Sequence, residues 1–222
     1  GKSSLLLTVA GAAAPLRGAV LLDGAPRRAG VFQPDVGLVF QQAEDQLFCP
    51  TLAEDVAFGP RNRGLAGAAL EARVAEALAA CGLTALADRP IHRLSGGEKR
   101  RACIAGVLAM RPRLMLLDEP SAALDLRSRR RLIALLAGLD AAQIIATHDL
   151  DLALELCPRA VLIDAGAVRA DGPAVEVLGD AALMRAHGQE PPAALRPCPR
   201  CGVAPACGDG PPRTASAPLS AP

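Results

Sequence analysis

The chain has no tryptophan and no tyrosine, and only four phenylalanines in 222 residues. Without aromatic platforms it has no means of gripping single-stranded nucleic acid by base stacking. Neither sign of charge is in excess, since 24 Lys plus Arg meet 23 Asp plus Glu for a formal net charge of +1. The overall balance therefore gives no electrostatic basis for binding nucleic acid or an anionic membrane surface. No run of about 18 apolar residues appears, so no segment reads as a bilayer-spanning helix; none reads as a signal peptide either. Lysine is nearly missing as well: Lys2 and Lys99 are the only two, and every other basic residue is arginine. That bias makes a lysine at position 2 conspicuous. Seven cysteines are an odd number, and Cys49, Cys81, Cys103 and Cys157 lack framework spacing, as expected of reduced residues in a cytosolic protein.

What is present is an alternation of short apolar runs and helical patterns. Leu5, Leu6, Leu7 and Val9 suit an apolar helix, Ala19 to Asp23 a strand entering a turn at Gly24, and Val36 to Phe40 a buried strand. From about residue 45 to 110 the texture becomes helical. Gly59-Pro60 is expected to break the chain, and a helix is expected over Ala68 to Ala80. Ser95 is placed to cap a helix running to about Met110. Beyond it come a strand at Leu114–Leu117, a helix at Arg127–Ala137, a strand at Gln143–Thr147 and a helix at Leu150–Leu156. Ala160–Asp164 and Ala167–Ala170 then make a hairpin around Ala165-Gly166. The expected fold is α/β, a parallel sheet with helices on both faces and an added helical subdomain. From residue 188 to 222 Pro, Gly, Ala and Cys dominate without periodicity, as in an unstructured tail.

Within this frame lies an ordered series of motifs suited to a nucleoside triphosphate. Gly1-Lys2-Ser3-Ser4 matches the end of a phosphate-binding loop, in which the Lys reaches the β/γ oxygens and the Ser hydroxyl meets Mg²⁺. A helix starting there aims its positive end at the phosphates. The apolar run Leu116-Leu117 ends in Asp118-Glu119-Pro120. A buried strand ending at the carboxyl edge of a parallel sheet is where ligands bind. Asp118 is placed to hold Mg²⁺ and Glu119 to act as general base toward water. Leu94-Ser95-Gly96-Gly97-Glu98 sets a hydroxyl and two glycines at a helix start, where amides can face an anion. Gln41 closes the strand Val36–Phe40, Asp125 ends Ser121-Ala-Ala-Leu-Asp, and Thr147-His148-Asp149 follows the last parallel strand.

In this order the motifs resemble an ATP-binding cassette, the nucleotide-hydrolysing subunit of membrane transporters, over about residues 1 to 185. The resemblance implies a P-loop type fold and ATP with Mg²⁺ as ligands. It implies that Ser95, Gly96, Gly97 and Glu98 form the signature that contacts the γ-phosphate held by a second subunit. Gln41 is then the glutamine that senses Mg²⁺ and the attacking water, alongside Ser3 and Asp118. His148 is the switch histidine, and Asp125 belongs to a loop crossing the dimer interface. Ser121-Ala122 stand where the family commonly has Thr-Ser, so one hydroxyl is lost. The preceding part of the phosphate loop is not in the sequence, and the expectation is a truncated chain, with an inactive fragment as one alternative.

The segment from Val39 to Pro60, with Asp45-Gln-Leu-Phe and Glu54-Asp-Val-Ala-Phe-Gly-Pro, is similar to the ATPases of energy-coupling-factor importers for cobalt or nickel. The ATPases of vitamin and other small-molecule importers look alike and remain the alternative. This resemblance implies a transmembrane coupling subunit, a substrate-binding membrane subunit, and a homodimer or heterodimer of ATPases at the cytoplasmic face of the membrane. Phe48, Leu52 and Phe58 are candidates for the groove that receives the coupling subunit. In the tail, Cys198, Cys201 and Cys207, with His187 upstream, form a candidate half-site for a soft or borderline metal.

Overall fold

The computed structural model describes residues 1–31 and 33–196. Its centre is a parallel sheet of three strands, β3 (Val36–Val39), β4 (Leu114–Asp118) and β5 (Ala142–Ala146), in the order β3-β4-β5. The central strand is buried along its whole length. Its alternation divides the interior in two. Met115 and Leu117 join the larger core, with Val39, Leu132 and Leu136. Leu114 and Leu116 face the other way, with Leu6 and Ala146. A strand buried on both faces needs apolar residues at consecutive positions, and Leu-Met-Leu-Leu supplies them.

The second face is covered by α1 (Lys2–Val9), anchored by Leu6 at 2% exposure. Three successive leucines cannot share one helical face: Leu5 is 48% exposed and Leu7 only half-buried, so the expected apolar helix forms with one anchor. The expected strand over Ala19–Asp23 is likewise reduced. Only β1 (Leu21–Leu22) forms, paired with β2 (Ala25–Pro26) through a turn in which Asp23 and Gly24 both have positive φ, and it lies apart from the parallel sheet.

The larger core is built from α2 (Leu52–Asn62), α3 (Gly67–Ala80) and α4 (Gly96–Leu108), inserted between β3 and β4. α2 starts at a reciprocal capping box, in which Thr51 accepts from the Glu54 amide and Glu54 from the Thr51 amide. The expected break at Gly59-Pro60 does not occur, because Pro60 lies inside α2. The helix ends two residues later, so the missing amide disturbs only its last turn. Gly59 is needed for close packing. A Cβ there would lie 2.5 Å from Met110 Sδ, so its absence lets α2 close on the end of α4. Gly37 serves β3 in the same way against Val107.

Beyond α5 (Leu126–Ala137) and α6 (Leu150–Leu156), β6 (Arg159–Asp164) and β7 (Ala167–Pro173) form an antiparallel hairpin. α7 (Ala174–Gly179) and α8 (Ala181–Ala186) pack beside it around Ala174, Leu178 and Met184. The segment after residue 188 begins in fixed contact with this body, contrary to the expectation of an unstructured tail from that point. The Ala193 amide donates to Asp151 at 3.0 Å, and Leu195 joins the small core. The tail cysteines 198, 201 and 207 lie outside the described residues. Among the described residues no helix is long and apolar enough to cross a membrane.

The β6–β7 turn has both central residues, Ala165 and Gly166, at positive φ, the geometry of a type I′ hairpin. An alanine there carries a steric cost that asparagine tolerates better. Ala165→Asn is therefore expected to stabilise the fold by about 0.5 kcal/mol, read as a rise of about 1–2 °C in thermal midpoint.

Candidate active site

The site is assembled where β4 and β5 end. Glu119 follows the last residue of β4 and is 6% exposed; its backbone sits at φ +46, and its amide donates to the Ala146 carbonyl at 2.8 Å. A side chain at positive φ costs of order 1 kcal/mol, and such strain is tolerated where a side chain must be aimed. Here it aims a carboxylate at the next loop. Glu119 Oε2 accepts from the Thr147 hydroxyl at 3.2 Å and the His148 amide at 3.2 Å, and lies 2.8 Å from His148 Nδ1. Glu119 Oε1 lies 3.4 Å from Lys2 Nζ at the start of α1. Burial pushes the carboxyl up, but the hydrogen bonds from His148 and the charges of His148 and Lys2 outweigh it. Glu119 is held below the ordinary glutamate range.

Lys2, Glu119 and His148 are thus brought together. Asp118 shares by alternation the face of Leu114 and Leu116, the face that α1 covers. It is 7% exposed, and among the described residues its carboxylate makes no hydrogen bond or ion pair. A carboxylate at the sheet edge with no protein partner fits the donor set of a divalent cation. Among the described residues no group of three His, Cys, Asp or Glu side chains is placed to hold a metal ion. Gly1 occupies the cap position of α1, so the amides that follow have no partner within the helix.

The other predicted residues form a second group. Ser95 caps α4 in a reciprocal box: its Oγ accepts from the Glu98 amide at 3.3 Å, and Glu98 accepts from the Ser95 amide at 2.7 Å. The hydroxyl keeps its own proton for another acceptor. Gly96 has nothing near its missing Cβ, whereas a Cβ at Gly97 would lie 2.5 Å from Ser128 Oγ. Only Gly96 is therefore open to an approaching anion, and Gly97 is small for the sake of α5. Asp125 caps α5 by accepting from the amide and hydroxyl of Ser128, each at 2.9 Å. Gln41 is exposed and lines a cavity of 320 Å³ together with Gly96, Lys99, Arg100 and Ala122. None of the hydrogen bonds or ion pairs of the described residues joins Gln41, Ser95, Gly96, Gly97 or Asp125 to Lys2, Ser3 or Glu119.

Two features lay beyond sequence reasoning. Arg100, from α4, donates to the carbonyls of Phe40 at 2.6 Å and Gln41 at 2.5 Å, fixing the backbone that carries Gln41. Arg129, from α5, grips Asp149 with two hydrogen bonds of 2.7 and 2.8 Å. In a chain so rich in arginine neither residue stands out. Of the groove candidates, Phe48 and Phe58 are exposed and meet edge to face at 4.7 Å. Leu52 is fully buried and belongs to the core instead. His187 is paired with Asp164 at 2.8 Å. The described cysteines are all unpaired, and burial pushes Cys81 and Cys103 up to about 12, which keeps them as thiols.

Residues 1–122 match the family model described as ABC transporter. The chain belongs to the ABC transporter family of ATPases. A Gloeobacter violaceus relative, named as an ABC transporter ATP-binding protein with no substrate given, is 50% identical over 88% of this chain and 82% of its own. A Rhodobacter capsulatus relative, named cobalt import ATP-binding protein CbiO, is 49% identical over 86% and 71%. Among solved structures, cbiO1 from Clostridium perfringens, described as part of the ABC transporter complex cbiONQ, superposes with a TM-score of 0.73. It shares 34% identity over 84% of this chain and 78% of its own. A dimeric post-hydrolysis state of the ATP-binding cassette MJ0796 with ADP and Pi superposes at 0.69, with 26% identity over 78% and 81%. This ABC ATPase therefore shares the α/β cassette fold of both, and ATP is its substrate.

The pairing of Asp149 with Arg129 makes a pH prediction. The Arg129 hydrogen bonds lower the folded carboxyl from 3.8 to about 2. A group lowered on folding contributes stability that is present above about pH 4 and lost as pH falls toward 2. Asp149→Asn is expected to cost on the order of 1 kcal/mol at pH 7. Denaturant titrations should show that difference narrowing as pH falls from about 4 toward 2.

Proposed function

We propose that this ABC ATPase powers an energy-coupling-factor importer for cobalt or nickel ions at the cytoplasmic face of the membrane, working with Mg²⁺ and closing as a dimer with a like subunit. The observation that carries the catalytic part is the convergence of Lys2, Thr147 and His148 on the buried, ionised Glu119. The Lys2 side chain is about half exposed, so its ammonium can turn from Glu119 to the β/γ-phosphate oxygens. Negative charge arriving beside Glu119 as Lys2 leaves raises its proton affinity, which suits a general base. Glu119 then takes a proton from the water attacking the γ-phosphorus. His148 keeps Glu119 oriented through Nδ1 and its amide, leaving Nε2 for the γ-phosphate. Asp118, with Ser3 and Gln41, would hold Mg²⁺. When bound, that ion would neutralise phosphate charge.

Ser95, with its spare proton, and the Gly96 amide present donors to the γ-phosphate of a nucleotide bound by the second subunit, with Asp125 at the same junction. Residues 1–187 make up the cassette, with the helical subdomain over about 45–110 carrying this surface. The cobalt reading is supported by the Rhodobacter capsulatus relative, named a cobalt import ATP-binding protein, whose CbiO name the Clostridium perfringens structure shares. It is supported too by the exposed Phe48–Phe58 pair beside a groove of 220 Å³ lined by Val36, Asp55 and Met110. An apolar pair left in water at a groove suits a helix of the membrane coupling subunit.

Two outcomes test this. Glu119→Gln is expected to bind Mg-ATP as tightly as the parent while turnover falls by about 10²–10³-fold in a phosphate-release assay; undiminished hydrolysis would remove Glu119 as base. Phe48→Ser/Phe58→Ser is expected to leave ATP binding intact and to lose co-purification with the coupling subunit. Loss of cobalt uptake by cells carrying it, with vitamin uptake spared, supports the metal reading; the reverse supports the vitamin importer.

A further inference from the structure

The loop that ends β5 and the helix that follows the Asp125 loop are joined by an unbroken set of hydrogen bonds. Arg129 lies one turn into α5, and its guanidinium meets Asp149 twice, Nε to Oδ2 at 2.7 Å and Nη2 to Oδ1 at 2.8 Å. Asp149 Oδ2 also accepts from the Ser121 hydroxyl at 3.0 Å, and Oδ1 from the Leu152 amide at 3.0 Å. The Asp149 amide donates to Thr147 Oγ1 at 2.9 Å. That fixes which way the Thr147 hydroxyl can give its proton, and it gives it to Glu119. Both members of the Arg129–Asp149 pair are mostly buried, with side chains 17% and 21% exposed. A planar fork sets both the position and the plane of the carboxylate it meets, which an ammonium group cannot do.

We propose that Arg129 is a positioning residue for hydrolysis. Through Asp149 it holds the Thr147–His148 loop in the geometry that aims Glu119. Through Ser121 it keeps that loop in register with the Ser121–Asp125 loop, so that displacement of one is felt by the other. Arg129 itself touches neither Glu119 nor His148. The neighbouring acid Glu155 lies 3.8 Å from its guanidinium and is held more closely by Arg130 at 2.7 Å, so Asp149 is the principal partner. The proposal rests on the reading of Glu119 as the general base.

The test measures single-turnover hydrolysis of Mg-ATP by the assembled ATPase. Arg129→Met is expected to leave KM within about threefold and to lower the rate by about 10–100-fold, the scale of a small misplacement of reacting groups. Arg129→Lys, which keeps the charge but not the fork, is expected to recover only part of that. Placed on Glu119→Gln, Arg129→Met is expected to add no further loss, because it acts through Glu119. A purely structural role predicts instead that the two losses multiply, and that result overturns the proposal. So does an unchanged rate in Arg129→Met while Glu119→Gln is impaired; normal hydrolysis in Glu119→Gln defeats the base assignment instead. Should Arg129→Met not fold, Ser121→Ala removes one hydroxyl from the same carboxylate. A several-fold drop in rate at constant KM then supports the proposal, and an unchanged rate overturns it.

Discussion

Taking a carboxylate almost wholly out of water is tolerated only where donors meet it, and Glu119 is such a carboxylate. It has the Thr147 hydroxyl, the His148 amide and ring, and Lys2 around it. The first three are delivered by the loop that ends β5, and Lys2 by the start of α1. The β4–β5 register brings Asp118 level with Ala146, one residue before Thr147. The seating of Leu6 on Leu114 and Leu116 places the start of α1 above the same edge. A shift of one residue in that parallel pairing would separate Glu119 from both of its neighbours in the next loop.

The second group of residues is organised by α4. Its start carries Ser95 and Gly96, while one turn on Lys99 pairs with Glu44 at 2.8 Å and Arg100 clasps the carbonyls of Phe40 and Gln41. Gln46 ties Phe40 to Cys103 farther along the same helix. The segment after β3 is therefore fastened to α4 at several heights, and Gln41 follows α4 rather than the sheet alone.

Sequence reasoning reached whatever is decided by local chemistry. The apolar run into Asp118-Glu119, the cap at Ser95 and the Ala165-Gly166 turn each rest on neighbours within a few residues. It failed where distant packing decides. Pro60 is tolerated because α2 is capped at Thr51 and buried against α4, and nothing beside Pro60 in the chain records this. Leu5 and Leu6 differ in burial only because one of them meets β4. Leu52 looks like its exposed neighbour Phe48 until the core closes over it. Asp149 was visible as part of a motif, but its partner is twenty residues away among four arginines of one helix, and only the fold chooses Arg129.

The contact between Gly97 and Ser128 has a mechanical meaning. With no side chain at 97, the first turns of α4 and α5 touch directly, and Ser128 is in turn bound by Asp125 at both its amide and its hydroxyl. The two helix starts cannot slide past one another without collision or separation. A side chain at 97 would have to push Ser128 away from α4, and Asp125 is bound to Ser128.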